Sequence, residues 1–129
     1  MWIFKQSTGE MFAPGTLGAM ATGYAGGNIP PHHDQTAVNN PARQAEHCVG
    51  PLPRGVYTIG TAYTDPHLGP VAMYLQPDPG NVMLGRSGFF IHADSIAHPG
   101  QASEGCIVMP NDARCTIARS RDRVLAVVE

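Results

Sequence analysis

Two short apolar runs, Gly88-Phe89-Phe90-Ile91-His92 and Cys106-Ile107-Val108-Met109, lie close together in this sequence, and each carries one reactive residue at an end. Aromatic and branched side chains favour strands, so each run predicts a short strand. The first run ends in a histidine, and the second begins with a cysteine fourteen positions further on. If the two strands are neighbours joined by a loop, the imidazole and the thiol lie at adjacent strand ends.

A histidine beside a cysteine is the smallest set of groups that makes a thiol nucleophile with its base. A free thiol has a pKa of about 8.5, so at neutral pH it needs an imidazole, an exposed site or backbone N–H groups to react. Cys106 is therefore the candidate nucleophile and His92 the candidate general base. The residues alone leave two alternatives open: Cys106 is only a buried apolar residue, or His92 is a hydrogen-bonded structural residue.

The rest of the chain predicts a mainly β, loop-rich fold in a single domain, residues 1–129. The composition is 43% hydrophobic and 14% charged with 15 Gly and 12 Pro, which favours short strands and turns. Residues 13–53 show neither a strand nor a helix period and predict an irregular surface segment. Further strands are predicted at Trp2–Gln6 and Glu10–Phe12 (a hairpin), Arg54–Ala62, Val71–Gln76 and Val124–Val128, and a short helix at residues 111–120 with Asn111 as its cap.

Charge and hydropathy exclude some classes of function. The net charge is −2 and the eight Lys and Arg residues are scattered, so there is no basic stripe for a nucleic acid. The sequence has no apolar run of about 18 residues, so no membrane span is expected. The start, Met1-Trp2-Ile3-Phe4-Lys5, lacks the basic and long apolar regions of a signal peptide, and none is expected.

The three cysteines, Cys48, Cys106 and Cys115, are an odd number and a poor disulfide framework. A Cys48–Cys115 bridge that leaves Cys106 free is one alternative, and two small buried apolar residues are the other. His32-His33-Asp34 and His47-Cys48 contain residue types that bind zinc, but neither has a recurrent zinc-ligand spacing. No metal and no cofactor are expected.

The motif Ser103-Glu104-Gly105-Cys106-Ile107, preceded by His92, resembles the active-site signature of L,D-transpeptidases. Further blocks across the chain narrow the resemblance to a related group of effectors, the Tlde1 family. These blocks are Gln6-Ser7-Thr8-Gly9, Gly23-Tyr24-Ala25-Gly26, Asn39-Asn40-Pro41, Gly50-Pro51-Leu52-Pro53-Arg54-Gly55-Val56-Tyr57, Gly85-Arg86-Ser87 and Ile91-His92-Ala93-Asp94-Ser95. The chain departs from the usual transpeptidase pattern in two ways. Glu104 stands where a second histidine is typical, and Val108 and Met109 stand where a polar residue is common.

The resemblance implies an L,D-transpeptidase-like (YkuD-type) β-sandwich or barrel with one or two short helices and long loops. It also implies an antibacterial toxin of type VI secretion that modifies peptidoglycan. As an L,D-carboxypeptidase or L,D-transpeptidase it would act on tetrapeptide stems at the bond between diaminopimelate and D-alanine, with D-amino acids as exchange partners.

A cognate immunity protein and a type VI secretion component are the implied protein partners. The implied route is synthesis in the cytoplasm and action in the periplasm of the target cell. A catalytically inactive binding module of the same fold, recognising cell wall or a secretion component, is the alternative.

Three residues next to the nucleophile and base are candidates for supporting roles. Asp94 and Ser95 are candidates to orient the imidazole of His92, with a turn cap as the alternative for both. Gly105 lets the backbone approach a substrate closely, and the N–H groups around Gly105 and Cys106 are candidates to bind an oxyanion.

Four further residues have weaker assignments. Ser103 either bonds within its loop, the preferred interpretation, or touches substrate. Arg86 is a candidate to hold a stem carboxylate with its guanidinium fork, with a surface ion pair as the alternative. Tyr24 is either a wall of the cleft or a packing anchor for the glycine-rich loop. His98 is interpreted as a loop residue and not as a second base.

Overall fold

The computed structural model describes residues 1–129 and is mainly β, as the composition predicts. The ten strands are β1 (Trp2–Lys5), β2 (Glu10–Phe12), β3 (Ala21–Thr22), β4 (Tyr24–Ala25), β5 (Gly55–Ile59), β6 (Tyr63–Asp65), β7 (Gly69–Pro77), β8 (Phe90–His92), β9 (Ile107–Val108) and β10 (Val124–Val128). One α-helix, α1 (Asn111–Arg119), and two 3₁₀ turns, Gln35–Ala37 and Pro41–Arg43, complete the regular structure. The predicted hairpin and the strands predicted around β5, β7, β8, β9 and β10 are confirmed.

The strands pair in the order β3-β2-β1-β10-β5-β7-β8-β9-β4, with β6 paired to β7 beside this path. The two edge strands, β3 and β4, are separated in the chain by Gly23 alone, so the sheet curls back on itself into a nearly closed barrel. Gly23 donates its N–H to the carbonyl of Gly9 at 2.8 Å, and a Cβ on Gly23 would lie 1.9 Å from the carbonyl oxygen of Val108. Only a glycine fits where the barrel closes. The predicted β-barrel or sandwich class is confirmed.

Side-chain alternation explains why these segments form strands around one core. In β5, Tyr57 and Ile59 are buried and Val56 and Thr58 are exposed, which is the period-2 pattern of a strand with one covered face. A cluster of 17 buried apolar residues fills the barrel and the space under α1. It includes Trp2, Phe4, Met11, Leu52, Tyr57, Met73, Leu75, Phe89, Ile91, Ile107, Ile117 and Leu125.

One expectation about local structure is wrong. Asn111 is the first residue of α1 and not its cap; Pro110 holds the cap position and makes no side-chain cap hydrogen bond. The amide oxygen of Asn111 instead accepts from the guanidinium of the buried Arg114 at 3.2 Å. The segment 13–53 is mostly irregular surface, as expected; its regular structure is β3, β4 and the two 3₁₀ turns, and a minority of its residues, such as Ala25, Ala37 and Leu52, are buried.

No helix of the structure is both long enough and apolar enough to span a lipid bilayer.

Candidate active site

The strands β8 and β9 lie side by side and parallel, and they position the predicted nucleophile and base. Ile91 pairs with Ile107, and His92 pairs with Val108. His92 is the last residue of β8, and Cys106 immediately precedes β9. Since alternate residues of a strand point to the same face, His92, Val108 and Cys106 lie on the face opposite to the core residues Ile91 and Ile107. The two predicted groups are therefore on one face, two residues apart along neighbouring strands.

Both groups line one open cleft of about 880 Å³. One wall is the loop that follows β8, residues 93–96, and its continuation at residues 98–102, including His98. The opposite wall is the tip of the β6–β7 hairpin, residues 66–70, which is tied to the first wall where the N–H of Ala93 donates to the carbonyl of Leu68 at 3.3 Å. The sequence Pro-His-Leu-Gly at residues 66–69 is typical of a turn. The position of this turn at the cleft depends on the pairing of β6 with β7, which the sequence alone does not reveal.

The imidazole of His92 is fixed in one tautomer. Its Nδ1 lies 2.6 Å from the carbonyl oxygen of Ala93, and because a carbonyl only accepts, Nδ1 carries the proton. His92 is only 3% exposed, and this burial, with the charge of Arg114 adding to it, lowers its pKa below the ordinary value. The ring is therefore neutral at neutral pH with a free lone pair on Nε2, which is the form that a general base requires.

The thiol of Cys106 is protonated at neutral pH. Desolvation raises its pKa to about 11, and the negative charge of Glu104 adds to the rise. The backbone N–H groups of Phe90 and of Cys106 itself face the sulfur and act in the opposite direction, as does the charge of Arg86. The thiol donates to the carbonyl of Gly88 at 3.8 Å, and no hydrogen bond joins the sulfur to His92. A preformed thiolate–imidazolium pair is absent.

The loop before Cys106 is held by the side chain of Ser103, which is 1% exposed. Its hydroxyl donates to the carbonyl of Cys106 at 2.6 Å and accepts from the N–H groups of Gly26 and Gly105 at 2.8 and 3.0 Å. The preferred interpretation of Ser103 as a loop residue matches these contacts. The N–H of Gly105 is thereby occupied, whereas the N–H of Cys106, the other candidate oxyanion donor, faces its own sulfur and donates to no backbone carbonyl.

Gly105 has a structural requirement of its own. Its φ is +143°, and a Cβ there would lie 2.7 Å from Nη2 of Arg86 and 2.8 Å from Cε1 of Phe89. The glycine is therefore needed for close packing of the loop onto Arg86 as well as for backbone freedom.

The contacts of Arg86 differ from both roles that the sequence suggested, a fork for a stem carboxylate and a surface ion pair. It is 6% exposed, so it makes no surface ion pair. Its terminal nitrogens donate to the backbone carbonyls of Gln44, Pro51, Gly50 and Glu104 at distances of 2.6–3.0 Å, which leaves no free fork for a stem carboxylate. The guanidinium also lies 5.1 Å from the ring centroid of Phe89, a cation–π distance. Arg86 joins the segment at residues 44–51 to the Cys106 loop.

Asp94 and Ser95 make no hydrogen bond to the imidazole, although the charge of Asp94 acts to raise the pKa of His92 against the effect of burial. Asp94 accepts from the hydroxyl of Tyr24 at 2.6 Å and from the N–H groups of Ser95 and Gly100, and Ser95 Oγ accepts from the N–H of His98. Both side chains cap the loop after β8, and the carbonyl of Ala93 orients His92. Tyr24 also accepts from the N–H of Ala102, so it anchors this loop. Tyr24 and Asp94 line a separate cavity of about 380 Å³, and Tyr24 is not a wall of the main cleft.

The remaining titratable residues are dispersed. No group of three or more His, Cys, Asp or Glu side chains is placed to hold a metal ion. His33 bonds to Gln35, Asp34 pairs with Arg43, and His47 contacts the carbonyl of Leu84. All three cysteines are free; Cys48 is exposed, which contradicts its interpretation as a buried apolar residue.

The exposed Glu104 lies where the main cleft meets a smaller cavity, and Cys106 lines both. The smaller cavity has a volume of about 250 Å³ and is also lined by Cys48. The sequence does not predict that Cys48 and Cys106 line one cavity, because no local pattern links residue 48 to residue 106. The only signal was the unexplained odd thiol.

Comparison with known proteins gives one match. A family model described as the Tlde1 domain matches residues 33–129, which contain β5–β10, α1 and both His92 and Cys106. No curated protein matches, and no solved structure matches. The matched range covers most of the chain, and with it the cleft and its paired strand ends. The chain belongs to the Tlde1 family.

Proposed function

We propose that this protein is an antibacterial effector that modifies peptidoglycan through a cysteine acyl-transfer reaction. Membership in the Tlde1 family supports an effector of type VI secretion. The observation that carries the reaction is the placement of Cys106 and His92 on one face of two adjacent parallel strands, open to one cleft. The reaction class is L,D-carboxypeptidase and L,D-transpeptidase chemistry on tetrapeptide stems, with D-amino acid exchange as the transfer reaction.

The properties of the two groups support a base-assisted attack. A neutral imidazole with Nε2 unprotonated takes the proton of the Cys106 thiol as the sulfur attacks the diaminopimelate carbonyl. Since the thiol pKa is raised, this transfer is coupled to the attack instead of preceding it. The N–H of Cys106, which donates to no backbone carbonyl, is the donor available for the oxyanion. His92 then returns the proton to the leaving D-alanine, and water or a D-amino acid releases the acyl group.

The cleft suits an extended peptide. Its volume of about 880 Å³ lies within the range of sites that bind small ligands, roughly 300–1,000 Å³. Both walls are loops, residues 66–70 and 93–102, and the cleft runs past His92 to Cys106. Removal of the terminal D-alanine depletes tetrapeptides needed for cross-links, which is how the activity would harm a target cell from its periplasm. A cognate immunity protein that covers this cleft would protect the producing cell.

The test is mass analysis of muropeptides after peptidoglycan is incubated with wild type, Cys106→Ala and Cys115→Ala. Wild type and Cys115→Ala should convert tetrapeptides to tripeptides and, with a D-amino acid present, to exchanged stems. Cys106→Ala should lower the rate by at least about 1,000-fold, as expected for loss of a covalent nucleophile. Cys115 is a matched control because it lies on α1 and does not line the cleft. Equal tetrapeptide loss with all three proteins would refute the proposal.

A second test uses location. Expression with an added secretion signal should lyse or slow a host cell, whereas cytoplasmic expression should not, because the substrate lies outside the cytoplasm. Periplasmic Cys106→Ala is the control, and equal harm from that variant would exclude peptidoglycan acyl transfer as the cause.

A binding module of the same fold is a second candidate, favoured by the raised pKa of Cys106 and the adjacent charge of Glu104. Such a module would bind peptidoglycan without turnover. In that case Cys106→Ala sediments with peptidoglycan as wild type does, and neither protein changes the muropeptide profile.

A further inference from the structure

Cys106 shares its smaller cavity with a second thiol. This cavity, of about 250 Å³, is lined by Cys48, Arg86, Glu104 and Cys106 among its nine residues. Cys48 is exposed, Cys106 is partly exposed, and neither is in a disulfide. Cys115 does not line this cavity, so Cys48 shares a cavity with Cys106 and not with the thiol on α1.

The two segments that carry these thiols are joined by several short contacts. Nη2 of Arg86 donates to the carbonyl of Gly50 at 2.9 Å and to the carbonyl of Glu104 at 3.0 Å. The N–H of Leu52 donates to the carbonyl of Gly105 at 2.9 Å, and the Cβ position of Gly105 lies 3.1 Å from the Gly50 oxygen. Residues 50–52 therefore lie directly against residues 104–105, next to the two cysteines in the chain.

The turn at Cys48 is unusual for a cysteine. Its φ is +61°, a left-handed conformation that favours glycine or asparagine. The turn is closed by the N–H groups of Val49 and Gly50, which both donate to the carbonyl of Glu46, and this closure does not use the Cys48 side chain. The backbone gives no reason for a cysteine here, so the side chain is free for another role.

Arg86 also provides a positive charge for both thiols. Its guanidinium has no carboxylate partner, since its terminal nitrogens bond only to backbone carbonyls. The pKa of Arg86 is lowered by desolvation, and the charges of Cys48 and Cys106 oppose that change, which means that both sulfurs lie within electrostatic range of the guanidinium. For Cys106 this charge partly offsets the rise of the thiol pKa caused by burial, and the thiolate is the reactive form in disulfide exchange.

We propose that Cys48 and Cys106 form a redox pair, in which a small-molecule disulfide oxidises them to a Cys48–Cys106 bridge that blocks the nucleophile and that reduction reverses. The exposed Cys48 attacks the small disulfide, which forms a mixed disulfide and expels one small thiolate. The sulfur of Cys106 then attacks the Cys48 sulfur and expels the second. The two cysteine protons pass to the two small thiols, so two cysteines are oxidised and one disulfide is reduced.

This redox pair goes beyond the proposed reaction, because the oxidation state of Cys48 and Cys106 does not depend on which substrate the protein acts on. Disulfides form and persist outside the reducing cytoplasm. A bridge to Cys48 would also shield Cys106 from irreversible oxidation to sulfinic or sulfonic acid.

Trypsin offers a direct test, because cleavage after Lys and Arg places Cys48, Cys106 and Cys115 on three different peptides, residues 44–54, 87–114 and 115–119. The reduced full-length protein is incubated with oxidised glutathione, alkylated, digested and analysed by mass spectrometry. Wild type and Cys115→Ser should give the linked pair 44–54/87–114 and an intact mass lower by about 2 Da. Alkylation of peptide 87–114 should fall at least about tenfold and return with dithiothreitol.

Cys48→Ser should give no linked pair and carry glutathione on Cys106 only at higher concentrations of oxidised glutathione, because the intramolecular step is lost. The proposal is overturned if oxidised wild type carries glutathione on both Cys48 and Cys106 or links either of them to Cys115. It is also overturned if wild type keeps all its thiols. These readouts do not use peptidoglycan, so they stand apart from the test of the proposed function.

Discussion

The paired strands β8 and β9 and the segment at residues 26–53 form the two sides of the Cys106 loop, and they are held together in different ways. In β8 and β9, a parallel ladder sets the register of His92 and of the residue after Cys106. Residues 26–53 contain no strand and only two 3₁₀ turns. That segment is tied to the site by side chains that bind its backbone, mainly Arg86, Ser103 and Gln6.

This difference teaches where the protein tolerates change. A ladder is formed by backbone groups, so it survives most single substitutions. A segment held by a few buried side chains loses several hydrogen bonds when one of them is replaced, and each buried group left without a partner costs roughly 1–3 kcal/mol. We therefore expect the base and the nucleophile to be placed robustly and the segment beside them to be sensitive.

The largest effect is expected for Arg86→Met. The substitution removes four hydrogen bonds to backbone carbonyls and should lower the free energy of unfolding by about 3 kcal/mol, measured by urea denaturation. Hydrogen exchange should speed up in residues 44–52 more than in β8. The exposed Arg121→Met is the control, with a change of about 0.5 kcal/mol or less. Equal loss of protection in β8 would contradict the comparison.

Ser103→Ala should have the next largest effect. Two N–H groups, of Gly26 and Gly105, lose their acceptor, and the unfolding free energy should fall by about 2 kcal/mol. Ser87→Ala is the control, because Ser87 is exposed and makes no side-chain hydrogen bond, so its change should stay within about 0.5 kcal/mol. A cost for Ser103→Ala as small as that of Ser87→Ala would mean that the loop does not depend on this hydroxyl.

The smallest effect on stability, but a specific one on chemistry, is expected for Glu104→Gln. Cys106 has a raised pKa of about 11, so its alkylation rate should continue to increase up to a higher pH than the rate of an ordinary thiol does. Removal of the Glu104 charge, which contributes to the rise, should move this pH profile to lower pH. The exposed side chain should change the unfolding free energy by no more than about 0.5 kcal/mol.

A Cys48→Ser, Cys115→Ser background isolates Cys106 for this measurement. Asp112→Asn, on α1 and outside all three cavities, is the charge control and should leave the profile in place. An unmoved profile in Glu104→Gln would show that desolvation alone sets the pKa of the thiol.

Short strands with their own apolar pattern were predictable, and strands that exist only through a distant partner were not. The hairpin of β1 and β2 and the alternation in β5 follow from local residue types. The two-residue strands β3 and β4 pair with β2 and with β9, and the chain around them is too rich in glycine to indicate this. The strand β6 was missed for a different reason: Tyr63-Thr64-Asp65 has no apolar pattern of its own, and its pairing with β7 is irregular.

At the site, the sequence by itself determined where a thiol and an imidazole stand, and it predicts that these residues carry the chemistry. The histidine ending one apolar run and the cysteine beginning the next specify a thiol and an imidazole at strand ends, because strand formation and side-chain alternation are local properties. The assignments of Cys106 as nucleophile and His92 as base remain predictions for the tests above.

Only the tertiary structure decided what surrounds these two groups. In the folded protein the guanidinium of Arg86 binds backbone carbonyls, and Asp94 accepts a hydrogen bond from Tyr24. The carbonyl of Ala93 fixes the tautomer of His92, and Cys48 and Cys106 line the same small cavity. The physical reason is that burial and hydrogen bonding depend on segments far apart in the chain. Burial raises the pKa of a thiol, and the N–H groups of a buried arginine are paired with acceptors from distant segments. Neither effect is visible in the neighbouring residues of the sequence.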